Sequence, residues 1–204
     1  MKIGYDAQKA VTDKTGLGDY SRQVIELIAN EFPTSQLYLY TPKLKKNPLL
    51  EPIKKLHNAE FHLPAASGLS GSLWRTFGVS NNLRPDKVDI YHGLCNELPL
   101  NILSSGVPSV VTVHDLAWRH FPERFNPIQR FICDFKCSRS VRNATRVIAS
   151  SEGTKNDIVE FYGVNPDKID VICSGDDPNG DFTPAKMATA LMATYEKAIS
   201  EFSI

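Results

Sequence analysis

His114 and Asp115 come directly after the most β-prone segment of the sequence. That segment, Val110–Val113, consists of four consecutive β-branched residues, which is typical of a strand buried on both faces of a parallel sheet. An imidazole exchanges a proton near neutral pH, and a neighbouring carboxylate can orient it. Because packing seldom requires two polar side chains at the end of a buried strand, we expect His114 and Asp115 to take part in catalysis.

Gly16, Leu17, Gly18 and Tyr20 form a second group of candidates, at the predicted start of the first long helix. Glycine lets backbone N–H groups approach a phosphate or a sugar at the positively polarised end of a helix. The pattern falls short of the dinucleotide-binding fingerprint, because Ser21 stands at the position of the third glycine. A tight turn into the helix, without a ligand, is the alternative interpretation.

Polar residues also follow the other predicted strands. They are Asp6, His92, Asn96, the pair Ser150 and Ser151, and the segment Gly175–Asp177. In open α/β sheets, ligands bind outside the carboxyl ends of the strands, so we expect these residues to share one edge of a sheet with His114 and the glycines. Two alternatives stay open: Asp6 could cap a loop, and His92 could be a hydrogen-bonded histidine beneath one.

A cluster of rings follows the His114 pair in the sequence: Trp118, His120, Phe121 and Phe125. Aromatic faces suit the apolar surfaces of ligands, so the cluster is a candidate platform for an acceptor molecule. A loop that packs on its own core is an equally good interpretation.

Apolar segments of strand length alternate with helical patterns along the chain. The predicted strands are Lys2–Asp6, Gln36–Thr41, Glu60–Leu63, Val88–His92, Ser109–His114, Arg146–Ala149 and Lys168–Cys173. Helices are predicted over Gly16–Phe32, Asn47–Leu56, Ser70–Asn82, Asn126–Asn143, Ser150–Tyr162 and Ala185–Phe202. This alternation predicts an α/β fold with a doubly wound, mostly parallel sheet of about seven strands and helices on both faces. The last helix carries an apolar stripe of Leu191, Met192, Tyr195 and Ile199, which we expect to pack on the sheet domain.

Composition limits the classes to which the protein can belong. Its 204 residues suffice for one sizeable core, and 42% of them are apolar. Because 23 basic residues balance 23 acidic ones, we expect no nucleic-acid partner. No apolar segment approaches the ~18 residues that span a bilayer, and the chain opens on a strand without a signal peptide. These features predict a cytoplasmic protein.

Cysteine usage gives no metal site. In a cytoplasmic protein the four cysteines are expected to be reduced thiols. Cys133 and Cys137 are four residues apart on one predicted helix, but no histidine or further cysteine stands at ligand spacing. We expect neither a metal nor a cofactor.

Five segments stand in a fixed order along the chain: Thr15–Arg22, Val88–Gly93, Pro108–Leu116, Val147–Ile158, and Val171–Asp177 with Phe182 and Pro184. Together they resemble the N-terminal half of a family 4 glycosyltransferase of the GT-B type, which uses nucleotide-sugar donors. They correspond to the family's glycine loop, its strand ending in histidine, its histidine–aspartate strand, the helix that follows, and the exit to a second domain. Ser174 departs from the pattern, because the family has asparagine there. Among the members, bacterial mannosyltransferases are the most similar.

The resemblance implies a particular domain organisation. Residues 1–184 correspond to the Rossmann-like, acceptor-side domain, and residues 185–204 resemble the family's closing helix. A second, donor-binding domain of similar size is absent between them, so we expect this chain alone to be inactive. A natural stand-alone domain is the alternative.

The resemblance also implies roles for the candidate residues. Backbone N–H groups of Gly16–Gly18 would face the leaving diphosphate, His114 would contact the donor sugar or the acceptor, and Asp115 would orient either His114 or the loop. The residues implied to bind substrate are Gly16, Leu17, Gly18, Tyr20, His92, Asn96, Ser150 and Ser151. The implied partners are a nucleotide-sugar and a glycan or lipid-linked acceptor.

Two rival functions remain at the level of sequence. One is a small-ligand or nucleotide-binding module with the same fold and no transfer chemistry, since fold alone does not determine function. The other is attachment to a membrane surface through a basic run around Leu49, Leu50 and Ile53. That run comprises Lys43, Lys45, Lys46, Lys54 and Lys55, and a solvated face is the plainer interpretation of it.

Overall fold

A computed structural model describes residues 1–64, 71–173 and 183–202 of the chain. Within these ranges, seven strands form one sheet. They are β1 (Lys2–Asp6), β2 (Gln36–Tyr40), β3 (Ala59–His62), β4 (Ile90–Gly93), β5 (Ser109–Val113), β6 (Arg146–Ala149) and β7 (Ile169–Val171). Their order is β3-β2-β1-β4-β5-β6-β7, and every pair is parallel.

The strand order confirms the predicted doubly wound α/β fold. The chain runs outwards from β1 to β3, returns to the other side of β1, and continues from β4 to β7, so the order reverses between β1 and β4. The sheet is wholly parallel rather than mostly parallel. Four strands are shorter than predicted: β2 and β5 each end one residue earlier, β4 begins at Ile90, and β7 covers only Ile169–Val171.

Helices cover both faces of the sheet. They are α1 (Gln8–Thr12), α2 (Gly16–Glu31), α3 (Glu51–Lys54), α4 (Gly71–Leu73), α5 (Val79–Leu83), α6 (Ala117–His120), α7 (Pro127–Asn143), α8 (Glu152–Tyr162) and α9 (Pro184–Phe202), with a π-helical segment, Trp74–Gly78, joining α4 to α5. One core cluster holds buried residues of α1, α2, α3 and α9. The cluster on the opposite face holds those of α5, α6, α7 and α8. Sequence analysis missed α1 and α6, which are only four or five residues long.

Local sequence sets the ends of the two helices nearest the candidate site. The side chain of Asn126 accepts a hydrogen bond from the Ile128 N–H at the start of α7. Ser151 does the same for the Thr154 N–H at the start of α8, and such caps satisfy donors that the helix leaves free. Gly163 ends α8 in the left-handed region, at a φ of 64°, where glycine is favoured.

Helix α9 packs on the α2 face of the sheet, as its apolar stripe predicts. Leu191, Met192 and Tyr195 are buried in the same cluster as residues of α2, and Ile199 packs against it while half-buried. An ion pair holds the far end of α9, where the buried Arg146 guanidinium lies 2.9 Å from a carboxylate oxygen of the exposed Glu201. The last helix is therefore an integral part of the core.

No helix among residues 1–64, 71–173 and 183–202 is both long enough and apolar enough to span a membrane.

Replacing Leu191 with alanine tests the contribution of α9 to stability. Leu191 is fully buried, and the Leu191→Ala cavity should lower the free energy of unfolding by about 2–5 kcal/mol, measured by urea denaturation. Glu196→Ala, at an exposed position of the same helix, serves as the control and should change it by less than about 0.5 kcal/mol. Equal stability of both variants would contradict the packing of α9.

Candidate active site

The main chain of His114 is held from both neighbouring strand ends. Its N–H donates to the side-chain oxygen of Asn96 at 2.9 Å, and Asn96 follows β4. Its carbonyl accepts hydrogen bonds from the hydroxyls of Ser150, at 2.6 Å, and Thr154, at 3.2 Å. These two residues lie at the end of β6 and in α8. His114 itself follows β5, so three adjacent strand ends fix its backbone.

The imidazole of His114 is half-buried and neutral. Its Nε2 lies 2.9 Å from the Leu94 carbonyl oxygen. A carbonyl can only accept, so Nε2 carries the proton and Nδ1 keeps a lone pair. The ring meets Tyr20 edge-on, with the ring centroids 4.5 Å apart. Burial lowers the pKa of His114, and the Leu94 bond and Asp115 only partly oppose this effect. The site therefore presents a neutral histidine whose Nδ1 can accept a hydrogen bond.

Asp115 hydrogen-bonds the loop that follows it and not the imidazole of His114, and a catalytic role for Asp115 stays a prediction. Its carboxylate is exposed and accepts a hydrogen bond from the Ala117 N–H at 3.0 Å, at the start of α6. Among the described residues, no hydrogen bond joins Asp115 to the imidazole of His114. The carboxylate acts on His114 only through its charge, which favours the protonated ring.

Packing requires glycine at only one of the two glycine positions in the Gly16–Gly18 loop. A Cβ on Gly18 would lie 2.1 Å from the backbone oxygen of Asp13, so the loop closes onto this position and admits only glycine. A Cβ on Gly16 would meet no atom within 4 Å. Packing does not require glycine at position 16, which leaves open space beside the first turn of α2.

The amino end of α2 has no side-chain cap. Thr15 precedes the helix and makes no capping hydrogen bond. Its own N–H and hydroxyl are instead bonded to an Asp13 carboxylate oxygen, at 2.7 and 2.5 Å. The first N–H groups of a helix have no partner within it, so Gly16, Leu17 and Gly18 present unsatisfied donors and the positive end of the helix dipole.

His92 is not at the surface of the site. It is fully buried, with Nδ1 2.8 Å from the Tyr195 hydroxyl and Nε2 2.8 Å from the Thr112 hydroxyl. Burial lowers its pKa to about 3, so the ring stays neutral. His92 was expected to contact a substrate, but in this arrangement both of its ring nitrogens bind protein groups. The alternative interpretation, a hydrogen-bonded histidine beneath a loop, describes it.

The remaining candidates surround His114 as supports. Asn96 adopts a left-handed φ of 58°, a conformation that asparagine tolerates better than most residues. Ser150 bonds the His114 carbonyl, and Ser151 caps α8. Tyr20 packs on the His114 ring and is almost fully buried. The structure thus brings these four residues to one edge of the sheet, and a direct contact of any of them with substrate stays a prediction.

A partly buried charge network, which no sequence pattern predicted, lies beside the site. Asp6, at the end of β1, bonds the Nε of Arg75 at 2.8 Å. Arg75 also pairs with Glu97, which lies 2.9 Å from the Lys136 ammonium. Burial opposes the charged form of Glu97, but the two cations outweigh it and lower its pKa. Arg75 is 69 residues from Asp6, so no local pattern reveals the pair; the only signal is that a carboxylate at a buried strand end needs a cation.

The aromatic cluster after α6 divides between core and surface. Trp118 is buried and bonds an Asp134 oxygen at 3.2 Å, whereas Phe121 is 44% exposed. His120 pairs with Asp157 at 2.7 Å.

The exit segment, with Gly175–Asp177 and Phe182, lies outside the described residues. Among those described, no group of three or more histidine, cysteine or acidic residues could hold a metal ion.

Comparison with known proteins identifies the family. The model of Glycosyltransferase Family 4 matches residues 23–179, which include the strand ends around His114. The chain belongs to glycosyltransferase family 4. No curated protein sequence matches it significantly.

Solved glycosyltransferases share the fold of this family 4 domain. The apo form of the lipopolysaccharide outer core galactosyltransferase WaaB matches with a TM-score of 0.52 and 15% identity, over 87% of this chain and 46% of that one. Medicago truncatula UGT71G1, complexed with UDP-glucose, matches with a TM-score of 0.53 and 10% identity, over 90% and 53%. A glycosyltransferase from Rickettsia africae ESF-5 matches with a TM-score of 0.49 and 15% identity, over 94% of this chain and 48% of that one. At these identities the likeness shows the fold alone. The chain spans about half the length of these three proteins.

Alanine substitutions at the two glycines should separate their roles. Gly18→Ala forces a Cβ against the Asp13 carbonyl and should lower the free energy of unfolding by about 1–3 kcal/mol. Gly16→Ala, the matched control on the same helix turn, meets no atom and should change it by less than about 0.5 kcal/mol. Urea unfolding of both variants measures the difference. A stable Gly18→Ala protein would contradict the described closure of the loop.

Proposed function

We propose that this family 4 domain is the acceptor-side half of an enzyme that transfers a sugar from a nucleotide-sugar to an acceptor hydroxyl. The observation that carries the proposal is the fixed, neutral His114 at the carboxyl edge of the sheet, where α/β folds bind their ligands. Its Nδ1 is an acceptor, and Tyr20, which contacts its ring, belongs to the helix whose uncapped amino end opens beside Gly16.

The amino end of α2 would stabilise the leaving diphosphate. Negative charge develops on that group as the sugar departs, and fixed N–H donors at a helix end stabilise such charge without reorganisation. Gly16 and Leu17 carry N–H groups there, and the open space at Gly16 admits close approach of a phosphate oxygen. Packing leaves this position free, which supports a role in binding.

His114 would hold a hydroxyl of the donor sugar or of the acceptor. A neutral imidazole with a proton on Nε2 accepts a hydrogen bond at Nδ1, and a sugar hydroxyl can donate it. The lowered pKa keeps this acceptor available at neutral pH. Asp115, which bonds a backbone N–H instead, would act only through its charge.

A second domain would hold most of the donor. The chain spans about half the length of its structural neighbours, and one of them, UGT71G1, is complexed with UDP-glucose. We propose that residues 1–184 form the acceptor-side domain, that residues 185–204 form the closing helix, and that this chain alone is inactive. Mannose is the proposed sugar, from the resemblance to bacterial mannosyltransferases, and a glycan or lipid-linked molecule is the proposed acceptor.

Histidine substitution in the complete protein tests this proposal. His114→Ala should lower the rate of sugar transfer by ~10²–10⁴-fold, because it removes a group that contacts the reacting molecules. Transfer from radiolabelled nucleotide-sugars to an acceptor mixture measures it, and the 204-residue chain should show no turnover.

His57→Ala is the matched control and should leave the rate unchanged, since His57 is exposed on the loop before β3. An unchanged rate for His114→Ala would make His114 a scaffold residue. Nucleotide-sugar binding without transfer in the complete protein would favour the alternative of a ligand-binding module.

We also propose a peripheral membrane contact, at a surface other than the basic run. In the basic run proposed from sequence, Leu50 and Ile53 are buried in the core, and Leu49 is 44% exposed. The larger apolar surface lies on α7, where Ile128, Phe131, Ile132 and Phe135 are 45–71% exposed. We propose this second surface, the α7 stripe, as the contact.

Charge on α7 favours an anionic lipid surface. Exposed Arg124, Arg130 and Arg139 lie on or near the helix, and its one acidic residue, Asp134, is bonded by Arg119 at 2.5 and 2.6 Å. An apolar stripe with flanking arginines is typical of helices that lie in a membrane interface.

We propose the cytoplasm as the location, where the four free cysteines would remain reduced.

Vesicle binding tests the α7 stripe. The variant with both Phe131→Ser and Phe135→Ser should bind vesicles of phosphatidylglycerol and phosphatidylcholine roughly tenfold more weakly than the unmodified chain, because two large apolar groups are lost. Leu103→Ser, at a position 65% exposed and outside α7, is the control. Co-sedimentation measures the bound fraction, and equal binding by all three proteins would contradict the proposal.

A further inference from the structure

Four buried side chains connect α9 to His114. The Tyr195 hydroxyl of α9 lies 2.8 Å from Nδ1 of His92, and Nε2 of His92 lies 2.8 Å from the Thr112 hydroxyl. That hydroxyl lies 3.1 Å from the hydroxyl of Tyr20. The Tyr20 ring then packs edge-on against the imidazole of His114. We call Tyr195, His92, Thr112 and Tyr20 the relay.

The relay is isolated from water. Tyr195 and His92 are fully buried, and Thr112 and Tyr20 are 1% and 6% exposed. A buried polar group without a partner is costly, so the four groups depend on one another for their hydrogen bonds. None of them can change partners without breaking a bond that water does not replace.

The neutral ring of His92 couples the two halves of the relay. One ring nitrogen must donate and the other must accept. If Nδ1 donates to Tyr195, Nε2 accepts from Thr112, whose single proton is then used. Tyr20 must in that case donate to Thr112. If the Tyr195 hydroxyl donates to Nδ1 instead, Nε2 carries the proton and donates to Thr112. Tyr20 then no longer has to donate to Thr112. The hydroxyl of Tyr195 therefore influences how Tyr20 is held.

Thr112 is the point at which the relay reaches the site. It lies two residues before His114 in the sequence, and its carbonyl accepts from the Asn96 N–H at 2.8 Å. Asn96 in turn holds the His114 N–H. A shift at Thr112 would act on His114 by two routes, through the backbone and through the Tyr20 ring.

We propose that Tyr195 is a positioning residue for His114, and that the docking of α9 sets the packing of the His114 ring through the relay. The importance of this for catalysis rests on the proposed function. The positioning itself is a property of the 204-residue chain and can be measured without transfer activity.

The experiment follows the pKa of His114 by NMR in the 204-residue chain. Tyr195→Phe should raise it by about 0.3–0.5, because a loosened Tyr20 lets water reach an imidazole whose pKa is lowered by burial. Tyr40→Phe is the matched control. Tyr40 is as buried as the relay tyrosines, but its hydroxyl bonds Asp86 at 2.6 Å, outside the relay, so its loss should leave the pKa of His114 unchanged.

Substitutions at Thr112 provide a second arm if Tyr195→Phe does not fold. Thr112→Val should raise the pKa of His114, whereas Thr112→Ser retains the hydroxyl and should keep the original value. An unchanged pKa in folded Tyr195→Phe or Thr112→Val, or an equal rise in Tyr40→Phe, would overturn the relay.

Activity separates this inference from the proposed function. In the complete protein, Tyr195→Phe should lower kcat about threefold or more while the KM for the nucleotide-sugar changes little, because the second domain is proposed to hold most of the donor. If the complete protein shows no transfer, the proposed function fails; if His114→Ala leaves transfer unchanged, only the proposed role of His114 fails. In both cases the NMR result still decides whether the relay positions His114.

Discussion

The burial of β5 on both faces is the constraint on which the arrangement of the site depends. All five residues of Ser109–Val113 are buried, so the strand can place polar atoms only at its end or against a buried partner. His114 occupies the end, where three strand ends meet its backbone. Thr112 is polar within the strand and faces α2 and α9, so it requires a buried partner, and His92 supplies it. The hydroxyl of Tyr195 then satisfies His92.

Sequence patterns predicted the elements that local physics determines. The β-branched run gave β5, the apolar stripe gave the packing of α9, and the position of His114 and Gly16–Gly18 at strand and helix ends followed from the parallel alternation. Contacts between distant segments were not accessible. Arg75 contacts Asp6 across 69 residues. It lies on a π-helical segment, which the periodicity of the sequence does not distinguish from an α-helix.

Local patterns also did not predict which site residues are buried or which partners they bind. A histidine at a strand end can face a cleft or the core, and the choice for His92 depends on Tyr195, which is 103 residues away. Asp115 stands next to His114 in the sequence, yet its carboxylate turns to the Ala117 N–H. Adjacency along the chain fixes which residues reach one edge of the sheet, and packing decides which of them bind one another.

The position of α9 has a consequence for the order of folding during synthesis. Tyr195 bonds Tyr5 across 190 residues, so the part of this face that α9 covers stays open until the seven strands have emerged from the ribosome. The opposite face, built from α5 to α8, can close earlier because its helices alternate with the strands that they cover. A nascent chain of this protein therefore carries one covered face and one that α1, α2 and α3 cover only in part, and the open part is the surface on which a chaperone would bind.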